Sequence, residues 1–274
     1  GDLNDLLNNN ASVYIKQNCL FVKTETNKKK VYYKYKFYEN EKILAFDKKK
    51  SPSVRKVLFR LGTNNILEKN SFILAVYKLK SIKDHEEDDN KTIREPLNMK
   101  KIMDNIDTKT FASINNGNLY EKFRISKNSD NDLEKALQNF KDYSLNKNEF
   151  KDYTYYIDLL GKKNILFNQD YNIIVIEKDL TEDKNIKIEC PLFNYDNKLE
   201  TIFIIKFIDE RKKIYFEPIV KINLSSVAKS LQFSFKEEDP HFANIFKIIN
   251  DKCIRNLINK PYNLNNIINL VNQS

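Results

Sequence analysis

Glycine is nearly missing from this chain. Only Gly1, Gly62, Gly117 and Gly161 occur among 274 residues, and no two are close together. That excludes the glycine-rich loops that lay backbone against a phosphate, and the Gly-x-Ser-x-Gly nucleophile elbow. Tryptophan is absent, and histidine is limited to His85 and His241. No third ligand stands at zinc-binding spacing and no Cys-x-x-Cys occurs, so no metal site is expected. His85, in "DHEEDD", reads as part of a solvated acidic run. His241, in "DPHF", falls in the first turn of a capped helix, with nothing beside it to make it a general base.

Long apolar runs are also lacking. The longest, such as "IFIIKFI" (202–208), are strand-length and far short of the roughly 18–20 residues that span a bilayer. The N-terminus, "GDLNDLLNNN", is polar and acidic, unlike a signal peptide. It does not begin with Met, which leaves room for an upstream segment that was removed. Cys19, Cys190 and Cys253 are odd in number, far apart and set in apolar patterns. They read as buried free thiols in a reducing compartment, and hence as a cytoplasmic protein.

What is present is lysine, asparagine, isoleucine, tyrosine and phenylalanine, all encodable by A/T-rich codons. This points to a low-GC genome: a mobile element, phage or virus, a reduced bacterium or an A/T-rich protist. Codon bias would raise lysine everywhere, yet the charge is uneven. The formal net charge is +9, made up of +10 over residues 1–80, −2 over 81–150 and +1 over 151–274. A local cationic excess points to a polyanionic partner.

The coarse organisation follows from periodicity. Residues 12–25, 30–38 and 43–46 read as strands, the first broken near Gln17 and Asn18. "SPSVRKVLFRLG" reads as a helix over 52–61. Ser51 is its N-cap, Pro52 stands at its first position and Gly62 just past its end, with Val54, Val57, Leu58 and Leu61 in one stripe. Residues 70–82 are nearly all apolar at their start and read as a buried strand. Residues 97–107 and 129–145 read as helices. Four strands follow, 171–179, 185–193, 200–209 and 212–222, joined by short polar turns that imply an antiparallel meander. The chain closes in a helix capped by Asp239 with Pro240 first, and a short helix over 264–271.

The fold class expected is therefore α+β with two antiparallel sheets, an N-terminal meander with one basic amphipathic helix and a C-terminal four-stranded meander, with packed helices and a helical C-terminal end. The expected domains are a basic unit over 1–82, an acidic linker or loop over 83–95, and helices plus sheet over 96–274. The acidic "EEDD" (86–89) reads as a solubilising loop, or else as a segment that folds back on the basic region and competes with a polyanion.

The stretch "NKKKVYYKYKFYENEK" (27–42) carries the main functional signal. Alternate residues of a strand face opposite sides, so Val31, Tyr33, Tyr35 and Phe37 share one face, and Tyr32, Lys34, Lys36 and Tyr38 the other. Cations beside flat rings suit single-stranded nucleic acid, although a solvated face in a lysine-rich chain looks the same. Lys48, Lys49 and Lys50, followed by Arg55, Lys56 and Arg60 on the outer side of the expected helix, would extend a phosphate track.

The expected function is a non-enzymatic nucleic-acid-binding or accessory protein that contacts the phosphate backbone. It would use Tyr32, Lys34, Lys36, Tyr38, Lys48, Lys49, Lys50, Arg55, Lys56 and Arg60, with no cofactor and no catalytic residue. Whether RNA or DNA is bound is open. One alternative is a protein-interaction factor of a virus, phage, plasmid or parasite that engages an acidic surface. Another is a metal-dependent nuclease, because Asp196 precedes an apolar strand that leads to Glu210, Arg211 and Lys212. That charged run also reads simply as a hairpin turn.

Overall fold

The structure, a computed structural model, describes residues 69–87, 97–125, 132–179, 195–223 and 231–254. It also describes Thr181, residues 186–189 and the short strands in the first 61 residues. Those strands are β1 (Tyr14–Ile15), β2 (Val22–Thr26), β3 (Lys30–Lys34), β4 (Tyr38–Glu39), β5 (Lys42–Ile43) and β6 (Lys56–Leu61). The later strands are β7 (Asn172–Asp179), β8 (Ile186–Glu189), β9 (Thr201–Ile208), β10 (Ile214–Asn223) and β11 (Leu231–Gln232).

Mixed α and β structure is as expected, but the two antiparallel sheets are not. Among the described residues a single nine-stranded sheet runs in the order β5-β4-β1-β6-β10-β9-β7-β8, with β11 also on β10, and β2 and β3 form a separate pair. The main sheet is mixed: β7 runs parallel to β9, and β1 parallel to β6, while the other pairs are antiparallel. The four strands expected as a meander are reordered because β7 sits between β8 and β9. The chain leaving β8 must therefore cross the end of β7 to start β9. Asn172 secures that crossing. Its side-chain amide donates to the Asp196 carbonyl at 2.8 Å and its Oδ1 accepts the Asp196 N–H at 3.1 Å.

Two local expectations are exchanged. The helix expected over 52–61 is instead strand β6 for Lys56–Leu61, paired antiparallel with β10 from Lys56↔Asn223 to Arg60↔Ile219. Val54 lies outside the described residues, and Leu58 and Leu61, which fit a helical stripe, fit a strand covered on both faces equally well. Leu58 and Leu61 are both buried, but in different hydrophobic clusters on opposite sides of the sheet. Conversely, residues expected as a strand open a helix, α1 (Ser71–Glu87). Its buried Phe72, Ile73, Ala75, Val76 and Leu79 form a wide helical stripe against β10, with the Phe72 ring edge-on to Phe216 at 5.2 Å. A short apolar run does not distinguish helix from strand; the polar half of α1, which continues the same turn, does.

The helices expected over 97–107 and 129–145 form as α2 (Met99–Asp104) and α5 (Asp132–Leu145). Between them lie α3 (Thr108–Ser113), a short 3₁₀ turn and α4 (Asn118–Phe123), followed further on by α6 (Ile157–Gly161). Asn98 and Asp107 cap α2 and α3 by accepting the N–H groups of Lys101 and Thr110. Phe111, Phe140 and Tyr156 form the aromatic centre of this helical layer, and the Tyr156 hydroxyl meets Ser144 Oγ at 2.9 Å.

On the opposite face of the sheet packs α7 (Ala243–Ile248), continued by a π turn through Ile254. Phe242, Phe246, Ile249 and Cys253 are buried there as the apolar pattern implies, and the Phe242 ring stacks on Phe203 at 4.3 Å. The start of this helix differs from expectation. Asp239 and Pro240 lie in a turn before it, and Asp239 instead accepts the His241 N–H at 3.0 Å and pairs with Lys221 at 2.5 Å. Cys253 is disulfide-bonded, which corrects the expectation of a free thiol at that position and withdraws its support for a reducing compartment. Leu257 and the helix expected over 264–271 lie outside the described residues. No helix among the described residues is long and apolar enough to cross a membrane.

One close approach joins the helical layer to the sheet. Gly161, ending α6, accepts the Tyr171 N–H at 2.8 Å, just before β7 begins. A Cβ at position 161 would stand 2.4 Å from the Tyr171 carbonyl oxygen, which is backbone and cannot swing aside. Gly161→Ala is therefore expected to lower unfolding free energy by about 1–3 kcal/mol. Urea denaturation of the two proteins checks this, and an unchanged midpoint would contradict it.

Candidate functional site: a lysine-lined groove

The residues expected to contact nucleic acid are only partly brought together. Tyr32 and Lys34 lie in β3, opposite Thr24 and Val22 of β2. Tyr38 in β4 stands opposite Tyr14, which in turn stands opposite Arg60, so these three share one line across the main sheet. Lys36, Lys48, Lys49, Lys50 and Arg55 lie outside the described residues. Lys56 and Arg60 are not on a helix. Arg60 is only 9% exposed: its Nε is 3.7 Å from Glu217 Oε2 and its guanidinium lies 4.8 Å from the Phe207 ring centre. It faces the protein interior, in contrast to the outer helical face expected for it. Burial raises the Glu217 carboxyl above the ordinary range, and Arg60 offsets this only in part.

The nuclease outline is likewise dispersed. Asp196 sits in the turn before β9 and accepts the Lys198 N–H at 2.9 Å. Glu210 and Arg211 lie in the β9–β10 turn, where Asp209 accepts the N–H groups of Arg211 and Lys213. Among the described residues no cluster of three or more His, Cys, Asp or Glu side chains could hold a metal.

Two charged constellations were not anticipated from sequence. The first lies where β9, β7 and β8 face the helical layer. Lys206 is buried and donates to Glu177 Oε2 at 2.7 Å, Glu189 Oε1 at 3.0 Å and the Tyr153 hydroxyl at 3.2 Å. Tyr153 donates in turn to Glu189 Oε2 at 2.6 Å. Burial alone would push the Lys206 ammonium down, but the bonds to Glu177 and Glu189 outweigh it and hold the group above the usual lysine value. The Lys206 bond also holds the Glu177 carboxyl below the ordinary glutamate value. The network cross-links three strands to the helical layer.

The second is a groove of about 910 Å³ between the start of α1, the start of α2 and the segment leaving α5. Among the described residues five lysines line it, Lys69, Lys100, Lys101, Lys147 and Lys151, against one carboxylate, Glu149. Two of the lysines build the wall. Lys151 is buried and its ammonium donates to the Tyr143 and Asn146 carbonyls at the end of α5, which also accept the Asn146 and Glu149 N–H groups at 3.3 Å. Burial pushes its pKa below the usual lysine value, and nearby Lys69 pushes the same way. The Lys151 N–H reaches the Lys69 carbonyl at 2.8 Å, and the Lys69 ammonium donates to the Asn148 carbonyl, so the wall is tied to the start of α1. The other three, Lys100, Lys101 and Lys147, are exposed and form no ion pair among the described residues.

No protein family, curated protein or solved structure matches the chain. The chemistry must be read from the groove itself. Its described residues offer a concave surface with a cationic rim, suited to holding an anion. The segment charge count overlooked it because Lys100, Lys101 and Lys147 lie within residues 81–150, whose net charge is −2. The adjacent pair Lys100-Lys101 just after the Asn98 cap was the visible trace.

Lys206→Met tests the first network. Removing the ammonium leaves Glu177 and Glu189 uncompensated, so stability at neutral pH should fall by about 3–5 kcal/mol. The Glu177 pKa is depressed in the folded protein, so its contribution is present above its unfolded value and lost as pH falls through the folded one. Protonation also relieves the variant, so the deficit should shrink at about pH 4. Urea unfolding at both pH values checks this; a deficit independent of pH would contradict it.

Proposed function

We propose that the protein binds nucleic acid without catalysing its cleavage, and that the lysine-lined groove supplies phosphate contacts in addition to those expected from the basic N-terminal third. The observation that carries this reading is the groove lining of five lysines against one glutamate, in a chain of net charge +9. Backbone phosphates are met mainly by cationic side chains, and ammonium groups without carboxylate partners are the ones able to exchange counterions for phosphate. Tyr32, Lys34, Lys36 and Tyr38 remain the proposed stacking and phosphate surface of the N-terminal part. Lys48, Lys49, Lys50, Arg55 and Lys56 are proposed to extend it, whereas Arg60 is set aside because Glu217 and Phe207 engage it.

Fluorescence anisotropy of the full chain with labelled RNA and DNA, titrated with salt, tests this. Binding should weaken with a log-log slope of about −0.7 per phosphate contact on a single strand, or about −0.9 on a duplex. Glutamate at Lys100, Lys101 and Lys147 should lower both affinity and slope. No detectable binding of either nucleic acid at low salt would overturn the reading.

A further inference from the structure

We infer that the groove is a nucleotide site: it takes one phosphorylated, ring-bearing unit, either a free nucleotide or the terminal unit of a strand. This rests on the nucleic-acid reading above and narrows it. The size argues for a unit and against a track. At about 910 Å³ the groove falls within the roughly 300–1,000 Å³ typical of small-ligand sites, whereas a phosphate track for a long strand would run open across the surface.

The lining divides into two halves with different chemistry. Tyr77, Leu97, Met99 and Leu145 supply ring and aliphatic surface against which a flat base loses water. Lys100, Lys101 and Lys147 supply point charges with rotatable donors, which suit a phosphate or short polyphosphate, and among the described residues no arginine fork lines the groove to favour a planar carboxylate.

The wall is preorganised. The end of α5 would by itself disfavour an anion, because it carries the negative end of the helix dipole. Lys151 sits on the Tyr143 and Asn146 carbonyls and removes that obstacle. Its N–H, and the Lys69 ammonium bonded to the Asn148 carbonyl, fix the wall against α1 before any ligand arrives. Such fixing reduces the ordering cost of binding.

The test is calorimetric titration of the full chain with adenosine 5′-triphosphate, inorganic triphosphate and adenosine. It is joined by competition between the nucleotide and a labelled single strand with or without a 5′-phosphate. The nucleotide should bind saturably, inorganic triphosphate more weakly and adenosine undetectably. Replacing Lys100, Lys101 and Lys147 together by Gln should weaken nucleotide binding about tenfold or more at an unchanged thermal midpoint. Lys147→Gln alone, outside any helix, should weaken it measurably if the triple variant does not fold. Displacement of the strand only when it carries a terminal phosphate assigns the site to strand ends, and nucleotide binding without displacement assigns it to free nucleotide. A strand that binds while the nucleotide does not overturns the groove assignment and leaves the nucleic-acid reading standing. Inorganic triphosphate binding as tightly as the nucleotide overturns the base-binding half. Failure of every ligand and strand at low salt overturns both readings.

Discussion

The antiparallel pairing of β6 with β10 is the contact on which the rest of this structure depends. Five residue pairs, from Lys56↔Asn223 to Arg60↔Ile219, join a strand from the first quarter of the chain to one from its last quarter. Because β10 also pairs with β9, and carries α1 across one face, both surfaces of the sheet centre become interior. Leu61, Phe216 and Val220 face one hydrophobic cluster, and Leu58 and Ile219 the other. A strand buried on both sides has no polar edge to mark its register, so register here comes from which large side chain meets which. Phe72 on Phe216 and Phe242 on Phe203 do that work on the two faces.

A sheet covered on both faces leaves little tolerance for charge, and the charged residues inside it are handled in different ways. Lys206 is surrounded by two carboxylates and a phenol, and Lys221 has Asp239 at 2.5 Å. Lys151, buried outside the sheet beside the groove, is held by backbone carbonyls. Glu217 is the least well served, since its Oε2 is buried without a hydrogen bond and Arg60 approaches only to 3.7 Å. Paired burial of this kind adds little net stability over an apolar core of the same shape, but it penalises any arrangement in which the partners are separated. Lys206 thus ties the order β9-β7-β8, which no periodicity in the sequence encodes.

Element positions were more legible in the sequence than element types or partners. The helices α2 and α5 and the strands β7, β8, β9 and β10 lie where periodicity and turn residues place them. Type failed where local pattern was ambiguous. Val57, Leu58 and Leu61 fit a helix stripe and a doubly buried strand alike, and the start of α1 fits a buried strand until its polar second half is counted. Ser51, Pro52 and Gly62 around the first of these carried helix-boundary signals, yet pairing with β10 decided it. Partner choice failed for another reason. Short loops favour an antiparallel meander, and nothing local announces that β8 should take the outer edge and β9 the inner. The Asn172 bonds to Asp196 that hold the crossing join residues far apart in sequence.

The groove shows why a charge count by segment and a charge map in space differ. Residues 81–150 sum to −2, but their charges are unevenly placed in space. Asp132 and Glu134 occupy the first turn of α5, where the positive end of the helix dipole favours them, and Lys147 and Lys151 follow its last turn, where the negative end favours cations. Fourteen residues of helix separate the two ends by about 21 Å, well beyond the screening length of about 8 Å at physiological salt. The lysines at the C-terminal end therefore lie apart from Asp132 and Glu134, although Glu149 stands among them and the segment average is negative. Packing of α1 and α2 beside that end adds Lys69, Lys100 and Lys101 to the same rim. Tertiary packing gathers lysines from three separate segments, and the cationic surface exists only where they meet.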